Sequence, residues 1–321
     1  DFMYIEFGNI FDIENIDDMI DNSFNGTCFS YSWFLKLKDS FKILKIYNLA
    51  KELQGFMPIF KSTPKTIAQS TMYIPYGGLV LFSLPRESRN QIRYIRQVEK
   101  VLCNYLQENY DDIQFSLDNK ITDIMPFIRS GFTPEVRYTY KLDLTKGLNV
   151  IYQNFGGDRK KDIKKAVKRN IKFVVDSDYS YFDSKEAMKW EKKYGFETTS
   201  DYVEKYIKTT IKKRRGMCFV AMENNKVLGG VHIAWDKETA YIMYSYYEKE
   251  KDDVAIAFLY YKIFEYLINN KIVKYIDFEG SVFESIEDWN ISFGAYQSRF
   301  YNLHWNSKNK PYFNLYDYGE K

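Results

Sequence analysis

Apolar and polar positions alternate most clearly in the second half of the chain. Val203, Ile207 and Ile211 recur at helical spacing behind Asp201 and Glu204, which stand at capping-box separation. A helix is predicted there, with Gly216 as its stop. Period-two alternation follows over 218–222, 227–235 and 239–247, broken by Asn224-Asn225 and Asp236-Lys237, so an antiparallel meander is predicted. A polar loop over 248–253 leads into an apolar helix over 254–269. Next come a short buried strand over 273–278, a helical stretch over 284–292, the pair Phe293-Gly294 and a last strand to Trp305.

The first half repeats that order more faintly. A hairpin is predicted from 41–48 and 55–61, and a strand over 71–82 is interrupted by Pro75 and Gly77-Gly78. A helix over 89–109, a strand over 113–117 and a short helix over 122–130, capped by Thr122, precede Gly131-Phe132 and a strand over 133–144. Both halves therefore read hairpin, strand, long helix, short strand, short helix, Gly/Phe pair, strand. This is a structural repeat rather than a solenoid period. Gly147, Gly156 and Gly157 punctuate a junction at 145–158, so the expected domains are 1–146 and 147–321.

Composition narrows the function classes. The 321 residues suit about two domains, and 45% hydrophobic with 28% charged residues is ordinary globular usage. Aromatic content of 18% is high; tyrosine suits clefts as well as cores, and a compositional habit explains it equally well. A net charge of +3 is too small to announce a nucleic-acid binder, and no DNA partner is expected. Cys28, Cys103 and Cys218 lack metal or disulfide spacing, and two histidines cannot build a multi-histidine metal centre, so no metal is expected. No apolar run is long enough for a membrane span, and no signal peptide is visible. A cytoplasmic location is expected; peripheral membrane contact stays open, and the oligomeric state is unreadable.

The string Tyr275-Ile-Asp-Phe-Glu-Gly-Ser281, followed by Phe293-Gly-Ala295, resembles the C-terminal signature of Fem-type tandem GNAT transferases. Phe127-Ile-Arg-Ser-Gly-Phe132 resembles the helix-to-strand corner of GNAT domains. The segment 159–172 resembles the basic helix that opens the second Fem lobe, and Pro75-Tyr-Gly-Gly78 resembles a first-lobe loop. The resemblance implies an α/β (α+β, mixed-sheet) protein with two GNAT lobes in tandem. It also implies an acyltransferase in cell-envelope biogenesis, taking acyl-CoA or aminoacyl-tRNA as donor. The acceptor would be a small-molecule, peptide, peptidoglycan or sugar-linked amine, with tRNA as a further partner. Two departures stand out. Asn290 replaces a lysine of the Phe-Lys-x-x-Phe-Gly pattern, and Asp252-Asp253 puts negative charge where a Gly-rich loop would bind a pyrophosphate. Both favour an alternative, a non-catalytic tandem that binds carbohydrate, peptide or RNA.

Candidate chemistry sits at several places. Asp277 and Glu279 flank Phe278 on a predicted strand, so both would share a face as general base or amine anchor, or else cap and ion-pair structurally. Ser281 caps the next helix or holds substrate. Arg159 and Lys165 lie in a basic stretch that suits a phosphate or polyanion, or a merely solvated face. Tyr76, Gly77 and Gly78 let backbone approach a ligand, or form a bulge. Arg137 and Tyr140 lie on a strand expected beside a cleft between the lobes, with Tyr246 and Phe293 as further substrate contacts. His232 sits mid-strand, where a satisfied structural histidine outweighs a general base.

Overall fold

The apolar helix predicted over 254–269 forms as Asp253–Asn269. Ala255, Ile256, Ala257, Phe258, Leu259 and Tyr260 are all buried, and a helix apolar on every side must be enclosed. It packs against the strands β9 (Gly216–Glu223), β10 (Lys226–Trp235) and β11 (Thr239–Tyr247). The computed structural model describes residues 3–38, 41–68, 75–189, 199–247, 253–280 and 283–308. They divide into unit 1, residues 1–138 with 299–321, and unit 2, residues 139–298.

Unit 1 begins with β1 (Met3–Gly8), which the sequence pattern did not disclose. It pairs antiparallel with β2 (Phe41–Asn48), and β2 pairs with β3 (Leu53–Thr63). β3 also pairs with β5 (Val80–Leu81) and with β4 (Thr66–Ala68), and β4 runs parallel to β6 (Asp112–Ser116). The helix Ser88–Asn109 makes the crossover to β6 and buries Val98, Leu102 and Leu106 in a core with Phe115, Phe127 and Phe132. The short helix Met125–Arg129 follows, entered through Pro126 rather than through a Thr122 cap.

Unit 2 repeats the plan. β8 (Lys172–Asp176), β9, β10 and β11 form the antiparallel run. Helix Asp253–Asn269 crosses to β12 (Tyr275–Asp277), which runs parallel to β11. Helix Glu284–Ile291 follows.

The two closing strands depart from a simple split at 146/147. β7 (Thr133–Asp143) leaves unit 1, and its residues 141–143 pair with β12 in unit 2. β13 (Tyr296–Asn306) leaves unit 2, and its residues 302–306 pair with β6 in unit 1. Each strand packs where its later half is paired, so the units divide within strands rather than in a linker. The expected junction at 145–158 contains the helix Leu148–Gln153 and the start of helix Gly157–Lys168.

Two local expectations change. Helix Ser200–Lys212 is capped by Thr199, whose side chain accepts from the Tyr202 N–H at 3.2 Å, not by Asp201. Gly216 does not stop that helix; Arg214 makes the left-handed turn at φ 56° and Gly216 opens β9. A Cβ on Gly216 would stand 2.2 Å from Thr210 Oγ1, so glycine there makes room for the helix.

Glu99 lies in the core of unit 1, and neither carboxyl oxygen has a hydrogen-bond partner among the described residues. Burial, followed by the negative charge of Asp123, pushes its pKa up to about 9 against the pull of Arg96. A folded-state pKa above the unfolded value means stability is complete at low pH and is lost as pH rises towards the folded value. Glu99→Leu is expected to raise stability near neutral pH by about 1–3 kcal/mol, because it removes an unpartnered buried acid. Thermal melts from about pH 5 to about pH 9 should show the wild-type midpoint falling relative to the variant. Parallel curves for the two proteins would contradict a buried neutral Glu99.

Candidate functional site

Alternation along β7, β10 and β11 sorts the side chains of unit 2 onto two unlike faces. One face carries Tyr140, Leu142, Val231, Ile233, Ala240 and Ile242 and meets helices Asp253–Asn269 and Gly157–Lys168 in one apolar core. The other carries Thr139, Lys141, His232, Tyr244 and Tyr246. On that face His232 Nε2 lies 2.9 Å from Thr210 Oγ1 of helix Ser200–Lys212, and the Tyr206 ring packs on both His232 and Tyr244. The Thr210 hydroxyl donates to the Ile207 carbonyl at 2.7 Å, so the imidazole N–H donates to Thr210. Burial pushes the His232 pKa down to about 3. The ring is therefore neutral and structural, and it is a poor base.

β11 and β12 are in parallel register over only three residues, Thr239–Tyr275, Ala240–Ile276 and Tyr241–Asp277. Beyond that row β12 ends, while β11 continues to Tyr247 paired with β10. A bulge follows at once, since His232 faces Tyr244 and Ile233 faces Ile242, which leaves Met243 outside the β10 register. On the other side of β12, Asp277 faces Lys141 of β7. The row Lys141–Asp277–Tyr241 is thus the apex of a wedge between two parting parallel strands.

Asp277 is the fixed point of that apex. It is fully buried, and its Oδ1 accepts from the Thr139 hydroxyl and, at 2.8 Å, from the Glu279 N–H. Lys141 Nζ lies 3.7 Å from Oδ2. A carboxylate held this way organises its surroundings. It is spoken for as a structural anchor, which the sequence pattern left open.

Glu279 differs from expectation in geometry and gains in interest. It does not share a strand face with Asp277, because β12 ends at Asp277 and Glu279 takes a left-handed backbone at φ 61°. For a non-glycine residue this conformation costs about 1–3 kcal/mol and persists only where its surroundings impose it. Here the Asp277 side chain imposes it. Glu279 Oε1 is buried without a hydrogen-bond partner among the described residues. Burial first, and the Asp277 charge second, push its pKa well above the usual carboxylate range.

The other predicted site residues scatter. Tyr140 lies in unit 2 and donates to Glu287 at 3.0 Å while accepting from Gln297 at 3.3 Å. Tyr246, on β11 past the apex, accepts the Asp183 N–H at 3.1 Å and meets the Phe182 ring edge-on. Burial raises its pKa. Phe293 is enclosed by Phe155, Tyr260, Phe264, Phe278 and Trp289, so its place is in the core. Arg159 lies 4.3 Å over the Trp289 ring and pairs with Asp162 at 3.3 Å, whereas Lys165 is exposed on the same helix. The two cations do not form one patch.

Arg137 belongs to unit 1, where it pairs with Glu135 at 2.9 Å. Tyr76, Gly77 and Gly78 are buried in unit 1; Tyr76 packs against Phe29 and Phe300. A Cβ on Gly78 would lie 2.6 Å from the Ser116 carbonyl, so this glycine serves backbone-to-backbone packing. Ser281 and Asp252 lie outside the described residues. Asn290 is buried, with its Nδ2 unpartnered among the described residues.

Sequence reading missed Thr139, Lys141 and Tyr241. The one available signal was the alternation in β7, which places polar Thr139 and Lys141 between apolar Tyr140 and Leu142. What they face depends on pairing with Asp277, 138 residues away from Thr139. Asp277→Asn is expected to cost about 3 kcal/mol, since it leaves Lys141 without a counter-charge and frees the Glu279 turn. Urea unfolding measures this; an unchanged midpoint would mean that the apex does not depend on Asp277.

No protein-family model matches the sequence, and no curated protein sequence matches it. Solved structures do match. FemX superposes with a TM-score of 0.64 at 13% identity, over 89% of this chain and 94% of that chain. A tandem GNAT protein from the clavulanic acid biosynthesis pathway gives 0.54 at 9% identity, over 95% and 99%. A GNAT-family acetyltransferase from Colwellia psychrerythraea gives 0.55 at 11% identity, over 94% and 98%. Among the described residues no helix is long and apolar enough to cross a membrane. The chain has the tandem GNAT fold that its motifs implied, and it shares that fold with FemX.

Proposed function

We propose that the chain is an acyltransferase that moves an acyl or aminoacyl group onto an amine of a peptide-, peptidoglycan- or sugar-linked acceptor. The observation that carries this reading is the parting of β11 and β12 beside the buried carboxyl of Glu279. An extended, amide-bearing donor arm can lie along a parted strand edge as an added strand, held by main-chain hydrogen bonds. Acyl-CoA has such an arm, aminoacyl-tRNA offers its acyl group as a ribose ester, and the named acetyltransferase among the similar structures supports the reaction class.

The chemistry asks little of side chains. The amine nitrogen attacks the acyl carbonyl carbon, a C–N bond forms, and the thioester or ester bond breaks with its electron pair leaving on sulfur or oxygen. The proton released by the amine goes to Glu279. A carboxylate whose pKa is raised towards the working pH is a stronger base than a free one. Asp277 holds Glu279 in place through the 2.8 Å bond from its N–H.

The test is product analysis by mass spectrometry with the full chain. Donors are acetyl-CoA and aminoacyl-tRNA; acceptors are glucosamine and a lysine-containing muropeptide. One donor–acceptor pair is expected to give a new amide. Glu279→Gln should lower kcat by about 10²–10⁴-fold in a variant that still folds. The base must be ionised to act, so log kcat should rise with pH up to the raised pKa of Glu279, and that rise should vanish in the variant. Saturable binding with no transfer from either donor would reject the enzyme and favour a carbohydrate-, peptide- or RNA-binding tandem.

A further inference from the structure

The outward face of helix Gly157–Lys168 is a stripe of like charge for which the fold has no use. The helix carries six cations and two acids, a balance of +4, whereas the whole chain has +3. Its inward face, with Asp162, Ile163 and Ala166 buried, packs against helix Asp253–Asn269. Helical spacing therefore stacks Lys161, Lys164 and Lys168 along the outward face, with Lys165 beside them. All four are exposed. Lysines three and four positions apart repel one another and weaken the helix that carries them.

Little in the unit compensates that repulsion. Lys161 has Asp158 at 3.3 Å, an exposed pair of small weight. Lys164, Lys165 and Lys168 make no ion pair among the described residues. Two other helices of the unit do place an acid at this spacing, Glu204 for Lys208 and Glu265 for Lys262. The negative end of the helix attracts Lys165 and Lys168 but fades within one turn, so it does not account for Lys161 and Lys164. A row of exposed, uncompensated cations is suited to a polyanion that arrives from outside.

Two features select which polyanion. The arginines of the segment are engaged within the fold. Arg159 stacks on Trp289 and pairs with Asp162, and Arg169 holds Glu223 through bonds of 2.9 and 2.8 Å. The outward groups are thus ammonium ions, point charges without the planar fork of a guanidinium. Val167, 61% exposed, stands on the flank of the same face. Lysines with an aliphatic side chain among them match a lipid surface, where ammonium groups meet anionic headgroups and an apolar group enters the acyl boundary. A single-stranded nucleic acid would be met by stacking aromatics, and this face has none.

We propose that the outward face of helix Gly157–Lys168 docks unit 2 on an anionic lipid surface, with Lys161, Lys164, Lys165 and Lys168 at the headgroups and Val167 at the acyl boundary. The inference does not depend on the acyl-transfer reading, and it uses none of the residues at the wedge. The contact is peripheral and electrostatic, so salt weakens it.

Cosedimentation of the full chain with vesicles tests this. Binding is expected to vesicles of phosphatidylcholine with phosphatidylglycerol, not to phosphatidylcholine alone, and high salt should release it. Each lysine at an anionic surface contributes about fivefold to partitioning. Combining Lys161→Gln, Lys164→Gln, Lys165→Gln and Lys168→Gln should therefore lower it by about 10²–10³-fold. Glutamine keeps the helical propensity, so this variant should fold. A control that combines Lys100→Gln, Lys205→Gln, Lys212→Gln and Lys213→Gln removes the same charge from exposed lysines elsewhere and should still bind. Val167→Asn should weaken vesicle binding and leave the stripe's charge intact. No binding of the wild type to the mixed vesicles, full binding by the stripe variant, or equal loss in the control would overturn the proposal. A wild type that binds tRNA through these four lysines but ignores the vesicles would overturn it too, and would give the stripe to RNA.

Discussion

The buried carboxylate of Asp277 is the constraint on which the rest of unit 2 depends. It sits at the end of a three-residue strand, where a charge without partners would be untenable. Three partners make it tenable, and each has a structural consequence. Thr139 and Lys141 tie β7 to β12, and the Glu279 N–H ties the chain beyond β12 into a left-handed turn. That turn ends the strand, and beyond the end of the strand β11 runs on paired with β10 and no longer with β12. One side chain thus connects sheet closure, the opening of the wedge and the placement of a second, unpartnered carboxyl.

The same division appears in the two faces of the sheet. On one side, helix Asp253–Asn269 and its apolar partners supply the burial that stabilises the unit. On the other, Thr210, His232, Tyr206, Tyr244 and Tyr246 form a polar, aromatic layer whose hydrogen bonds specify position rather than supply bulk burial. The neutral imidazole of His232 belongs to that layer as a positioned donor. A face stabilised elsewhere can keep a strained glutamate, because the apolar core on the other face offsets its cost.

Legibility differed between elements and contacts. The repeated order of hairpin, long helix and short strand was visible because each long helix carries an apolar surface that only a sheet can cover. Short elements escaped: β1, β4, β8 and the helix Leu148–Gln153 are too brief for a period to declare itself. The cap at Thr199 and the role of Gly216 were misplaced by one or a few residues, since several polar residues and glycines compete locally for the same task. In the candidate site, Glu279 was visible through its motif, but its separation from Asp277 was not. A strand was expected to continue through both residues, and the Asp277 side chain ends it between them.

The sequence by itself determined the tandem plan, the long crossover helices and the presence of two acidic residues around Phe278, because periodicity and motif are local properties of the chain. Only the tertiary structure decided that β7 and β13 are each completed in the other unit, that Asp277 is an anchor and Glu279 an unpartnered acid, and that Lys141 stands at the apex of the wedge. These are outcomes of pairing between residues more than a hundred positions apart. Burial and charge at such a meeting point belong to neither segment until the strands come together.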